Sequence, residues 1–113
     1  MTYEPRFERF DARGPDGRSR SVEFKKAGFL AAGDQPEVFF FHVDAGQVIV
    51  GVSGEALRQL QGRRRHLSRE EKIDIAGLFL KERIEAGKEL VAANLSVGGR
   101  ELERLVSILG LFA

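Results

Sequence analysis

Residues 38–52 read Val-Phe-Phe-Phe-His-Val-Asp-Ala-Gly-Gln-Val-Ile-Val-Gly-Val. β-Branched and aromatic side chains suit a pleated surface, Pro36 bounds the run upstream, and Asp44-Ala45-Gly46 supplies turn chemistry. Val38 to Val43 and Gln47 to Val52 are therefore expected to form an antiparallel hairpin. Apolar side chains fall on both faces of the first strand. A strand of that kind is central to its sheet, with helices over one face and another element or a second subunit over the other.

Upstream, residues 1–20 are polar, with Tyr3, Phe7 and Phe10 set among charges and the turn signal Gly14-Pro15-Asp16-Gly17 behind them. Two readings stand: a frayed arm, or an outer hairpin in which Phe7 to Ala12 pairs with Ser19 to Lys25. The threefold spacing of Phe7 and Phe10 does not follow strand alternation. The glycines Gly28 and Gly33 lack the lysine and the strand-to-helix setting of a phosphate loop, so residues 28–33 are read as a connection.

Downstream, the pattern changes to helical. Ser53 suits the N-cap of a short helix carried by Ala56, Leu57 and Leu60 and ended by Gly62. Ser68 and Glu71 have the spacing of a capping box and open a longer helix that Gly87 stops. On its wheel Ile73, Ala76, Leu80 and Ile84 cluster, and Ile75, Phe79 and Ala86 widen the apolar arc to about half the circumference. Glu70, Asp74, Lys81 and Glu85 mark the wet side, with Leu78 close to it. Residues 89–95 are open between strand and short helix. After Gly98 and Gly99 a final helix from about Arg100 carries Leu102, Leu105, Val106, Ile108, Leu109 and Phe112.

Strands first and helices second define an α+β class: a small antiparallel sheet of two to four strands from the N-terminal half, with about three helices from the C-terminal half mostly on one face. The 113 residues make one globular domain over 21–113, with 1–20 as its arm or outer hairpin. The absence of cysteine excludes disulfides, thiolate metal sites and thiol nucleophiles. The start carries no secretory pattern, and no apolar run reaches membrane-spanning length, so a cytoplasmic protein without a membrane partner is expected.

The net charge of +1 conceals an uneven distribution, because residues 62–72 hold five Lys/Arg against two Asp/Glu. Arg63, Arg64, Arg65 and His66 stand just before the helix start at Ser68 and Arg69. Unpaired N–H groups, the helix dipole and guanidinium forks would there favour a phosphate or a nucleic-acid strand. A solvated inter-helix loop is the plain alternative, and Glu70 and Glu71 lie where an anion would approach.

The run from Leu90 to Leu105 resembles a helix-turn-helix, with Ala92, Ser96, Val97, Leu102 and Leu105 at the positions that pack its two helices. The resemblance covers about 16 residues and implies DNA contact by the second helix. The chain departs from the motif in Ser96 at the turn glycine, in Gly98 and Gly99 at the start of the second helix, and in the acidic Glu101 and Glu103.

His42 and His66 are the chain's two histidines, too few for a zinc site without cysteine. His42 shares a strand face with Val38 and Phe40, which fits a hydrogen-bonded core or interface histidine. Carboxylates sit at salt-bridge spacing, as Glu85 does with Lys81 and Lys88, rather than as an acid/base pair. No catalytic residue, metal set or cofactor fingerprint stands out.

The leading expectation is a non-catalytic protein-interaction or regulatory module that self-associates, because its apolar side chains exceed what one small core conceals. A homodimer would use Phe40, His42, Leu78, Phe79, Leu105, Ile108, Leu109 and Phe112. The alternative is nucleic-acid or phosphate-ligand binding through Arg63, Arg64 and Arg65. An enzyme acting on a small anion beside His66 is the remaining reading.

Overall fold

The computed structural model describes residues 3–29, 36–63, 65–90 and 95–111. Strands β1 (Arg9–Arg13), β2 (Ser19–Phe29), β3 (Glu37–Val43) and β4 (Gly46–Val52) lead to helices α1 (Gly54–Arg63) and α2 (Arg69–Glu85). Strand β5 (Leu95–Val97) and helix α3 (Gly99–Leu109) complete the chain. The class is α+β, as expected. The sheet, however, has five strands in the order β1-β2-β3-β4-β5 and is mixed, since β5 lies parallel to β4. Three residues, Leu-Ser-Val, make up that extra strand. They are too few to carry a period-2 signal of their own.

The central hairpin forms where expected, with Phe41 opposite Val48 and Val43 opposite Gly46. Strand alternation then sorts the side chains. Phe39, Phe41 and Val43 join Val48, Val50 and Val52 in the core cluster, whereas Phe40 is half-buried and His42 is exposed. Phe39 is 1% exposed and Phe41 is fully covered, and burying a side chain of this kind contributes about 2–3 kcal/mol. His42 is thus a surface residue and not a core histidine. Strand β2 runs on through Gly28 and Phe29, so part of the expected connection is strand, and residues 30–35 lie outside the described residues.

Helix α1 begins as its cap predicts: the Ala56 N–H donates to Ser53 Oγ at 3.2 Å. In α2 the capping box closes, with Glu71 N–H on Ser68 Oγ at 3.1 Å and Ser68 N–H on Glu71 Oε1 at 2.8 Å. At its far end Gly87 takes φ +70, a left-handed conformation that glycine adopts without a Cβ penalty.

The surprise in α2 is the extent of its burial. All residues from Ile73 to Leu80 are buried, and eight consecutive positions sweep more than two helical turns. A helix hidden all round is enclosed, not laid on a surface. The sheet and α3 supply part of the cover, and the N-terminal segment adds to it. Asp74, expected on the wet side, is 0% exposed. Its Oδ1 accepts the Phe7 N–H at 2.7 Å, and its Oδ2 accepts the Tyr3 hydroxyl. Gly77 lies one turn on, and a Cβ there would stand 2.4 Å from the Phe7 carbonyl oxygen. Backbone crosses the helix where only glycine leaves room.

Residues 3–8 therefore form a strap over α2, fastened also by Arg6 Nη2 on the Leu109 carbonyl at 3.2 Å. Of the two readings of this segment, the outer hairpin forms and the frayed arm does not, over the described residues from Tyr3 on. Beyond the strap, β1 pairs with β2 from Arg9 opposite Glu23 to Arg13 opposite Ser19, across the Gly14–Gly17 turn. Burial and the bond to Asp74 push the Tyr3 hydroxyl up to about 12.

Candidate functional site

The arginine loop lies between α1 and α2, and Arg65 is fully occupied within the chain. Arg65 grips Glu71 with both terminal nitrogens, at 2.9 and 2.5 Å, and adds the carbonyls of His66 at 3.0 Å and Leu111 at 2.6 Å. Glu71 is 5% exposed. Its carboxyl is lowered to about 2, first by the Arg65 fork and also by its bonds with Ser68, against the opposing effect of burial. The positive end of α2 therefore already holds an anion, supplied by its own third residue.

Ser68, expected to help cradle a ligand, is spent in the capping box. The Arg69 guanidinium lies 5.4 Å from the Phe24 ring centroid, and His66 is exposed. Arg63 closes α1, while its side chain and the whole of Arg64 lie outside the described residues. Among the described residues of the set, Arg65 and Ser68 are turned inward to hold the fold.

The helix-turn-helix likeness does not survive in three dimensions. Its turn would fall at Ser96 and Val97, and these are strand residues paired with Gly51 and Val52. Residues 91–94, including Ala92, lie outside the described residues. Leu102 and Leu105 are fully buried in the chain's own core, as their spacing required, while Glu101 is tied to Arg104 at 2.7 Å. Strand pairing with β4 claims the segment that the motif would use as its turn.

The expected interface residues divide into two groups. Leu78, Phe79, Leu105 and Leu109 are between 0 and 8% exposed and belong to the single chain's core. The strap and sheet provide the shelter that the sequence reading assigned to a second copy. Phe112 lies outside the described residues. Phe40, His42 and Ile108 remain at the surface, Ile108 at 56% exposure.

Ile49, 46% exposed, joins them and was missed. Alternation in β4 held the signal: Val48, Val50 and Val52 share one face, which turns Ile49 to the other. Register sets Ile49 directly opposite Phe40, with Lys26 on the strand beyond and its ammonium 5.0 Å from the Phe40 ring. One step along, Glu23 faces His42 and His42 faces Gln47. Lys25, followed by Arg9, holds the Glu23 carboxyl below the ordinary range. This outer strip is an apolar pair bordered by both signs of charge.

Among the described residues no group of three His, Asp or Glu side chains is placed to hold a metal, and no helix is long and apolar enough to cross a membrane. A scan against protein-family models and searches of curated proteins and of solved structures find no match to this chain. Its functional reading rests on its own residues.

Proposed function

We propose that the chain is a non-catalytic interaction module that pairs with a second copy of itself across the outer face of β2, β3 and β4. The observation that carries this reading is Ile49, a large apolar side chain 46% exposed beside half-buried Phe40, on the sheet face turned away from Phe39, Phe41 and Val50. Covering this pair on both copies removes apolar surface from water twice over, at about 25 cal/mol per Å².

Charge favours a second copy over an unlike partner. Lys26 and Glu23 flank the apolar pair, and a strip carrying both signs can meet itself after a two-fold rotation. The strip is small, so the dimer is weak, with a dissociation constant of about 10–100 µM.

Sedimentation equilibrium across that range tests the reading. The natural chain is expected to shift from monomer to dimer, and Ile49→Lys to stay monomeric with an unchanged circular dichroism spectrum. A natural chain that is monomeric throughout, or an Ile49→Lys variant that dimerises equally well, would overturn it.

A further inference from the structure

We infer that the cleft at the C-terminal end of α2 binds a small, multiply charged anion of the phosphate-ester class. The cleft encloses about 510 Å³ and is lined by the Gly14–Arg18 turn, Arg20, Asp44 and the residues that close α2. That volume suits a nucleotide-sized molecule. Its base is firm. The turn closes on itself through Gly17 N–H to Gly14 O and Gly14 N–H to Arg18 O, each at 3.0 Å. It rests on the helix end so closely that a Cβ at Gly87 would stand 3.1 Å from Pro15 Cγ.

What distinguishes this cleft is the mismatch between donors and acceptors. Arg18, Arg20 and Lys88 bring three cations to it. Two carboxylates line it as well, and each holds a bond within the chain. Asp44 takes Arg20 Nε on Oδ2 at 2.7 Å and the Ser21 N–H on Oδ1 at 3.0 Å, and Asp16 Oδ1 takes the Arg18 N–H at 3.0 Å. Three carbonyls of the last turn, those of Glu82, Arg83 and Ile84, accept the N–H groups of Ala86, Lys88 and Gly87 at 2.9 to 3.0 Å. Glu85, one turn back, takes Lys81 at 2.8 Å.

Arg18 contributes to lowering the Asp44 carboxyl, yet its guanidinium and the Lys88 ammonium make no hydrogen bond or close ion pair among the described residues. Arg20 keeps both terminal nitrogens after binding Asp44 through Nε. Two guanidinium groups and an ammonium outnumber the two carboxylates of the cleft, Asp16 and Asp44, and a phosphoryl group presents three oxygens to such forks. The site shares no residue with the outer sheet strip, so it stands apart from the pairing proposed above.

The experiment titrates pyrophosphate into the full chain at low ionic strength, followed by calorimetry and by amide shifts in ¹⁵N spectra. Saturable binding is expected, with the largest shifts at residues 14–20, 44 and 87–88. Arg18→Gln and Lys88→Gln should each weaken it about tenfold, with their circular dichroism unchanged. A paired Arg63→Gln, Arg64→Gln variant should bind as the natural chain does. Absence of binding at millimolar pyrophosphate, equal affinity in the Arg18→Gln and Lys88→Gln variants, or loss of binding in the Arg63/Arg64 variant would each overturn the assignment.

Discussion

The two ends of α2 each carry a gathering of cations, and they use them in different ways. At the start, Arg65 closes a fork on a carboxylate six residues ahead and is absorbed into the helix cap. At the finish, about 25 Å away for a helix of 17 residues, Arg18, Arg20 and Lys88 converge from distant parts of the chain on a cleft that also holds Asp16 and Asp44. Arg65, from the densest run of arginine in the sequence, thus became structural support, while a scattered set lines the open cleft. Charge density along a chain counts cations, but a site depends on which of them remain without partners.

The comparison requires α2 to be held rigidly between its ends, and the strap does that. The largest expected effect therefore comes from Gly77→Ala. Alanine is the better helix former by about 1 kcal/mol, yet its Cβ would enter the space of the Phe7 carbonyl oxygen. Overpacking of this kind costs about 1–3 kcal/mol and should lift the strap. Denaturant unfolding should show a net loss despite the gain in propensity. Tyr3 is the chain's single tyrosine, and there is no tryptophan, so its absorbance should report the same event by titrating below 12 and towards 10. An unaltered tyrosine titration would show that the strap does not depend on this close approach.

Next in size is the contrast between Arg65→Ala and Arg18→Ala. Removing Arg65 leaves the carboxylate of Glu71 nearly buried without its fork. Because water reaches half of the Arg65 side chain, the cost is about 2 kcal/mol, below that of breaking a fully buried pair. Arg18→Ala removes no such partner and should change stability by less than about 0.5 kcal/mol. Equal losses in the two variants would erase the distinction between the ends of the helix.

The same fork also sets a dependence on acid. The Glu71 carboxyl is lowered in the folded chain from 4.5 to about 2, so the unfolded state binds the proton more readily. The stability this provides is complete above pH 4.5 and is lost progressively as pH falls towards 2. In Arg65→Ala this part of the acid limb should flatten, since the main cause of the lowering is gone. Unfolding free energies measured between those pH values compare the two slopes directly.

Features made by neighbours in sequence were legible beforehand. The Phe41–Val48 hairpin, the Ser53 cap and the reciprocal Ser68–Glu71 box each close within a few residues, so residue type and spacing suffice to specify them. The strap was not legible, because Asp74 and Gly77 acquire their meaning from Tyr3 and Phe7, about 70 positions earlier. Their one local trace was that aspartate and glycine are poor residues for the middle of a helix; Asp74 was read as part of a wet face and Gly77 drew no reading. The arginine loop was located correctly, yet its use depended on a fork to Glu71 and a carbonyl contact with Leu111 that no spacing rule supplies.

The amino-acid order by itself determined the α+β class, the central hairpin and the caps of α1 and α2, since periodicity and capping act over one or two turns of chain. Tertiary structure alone decided that β5 pairs in parallel with β4, that a strap encloses α2, and which cations remain open. The physical reason is that burial and pairing are properties of surfaces assembled from remote segments. A side chain's neighbours across the fold, not those beside it in the chain, set whether its charge is spent.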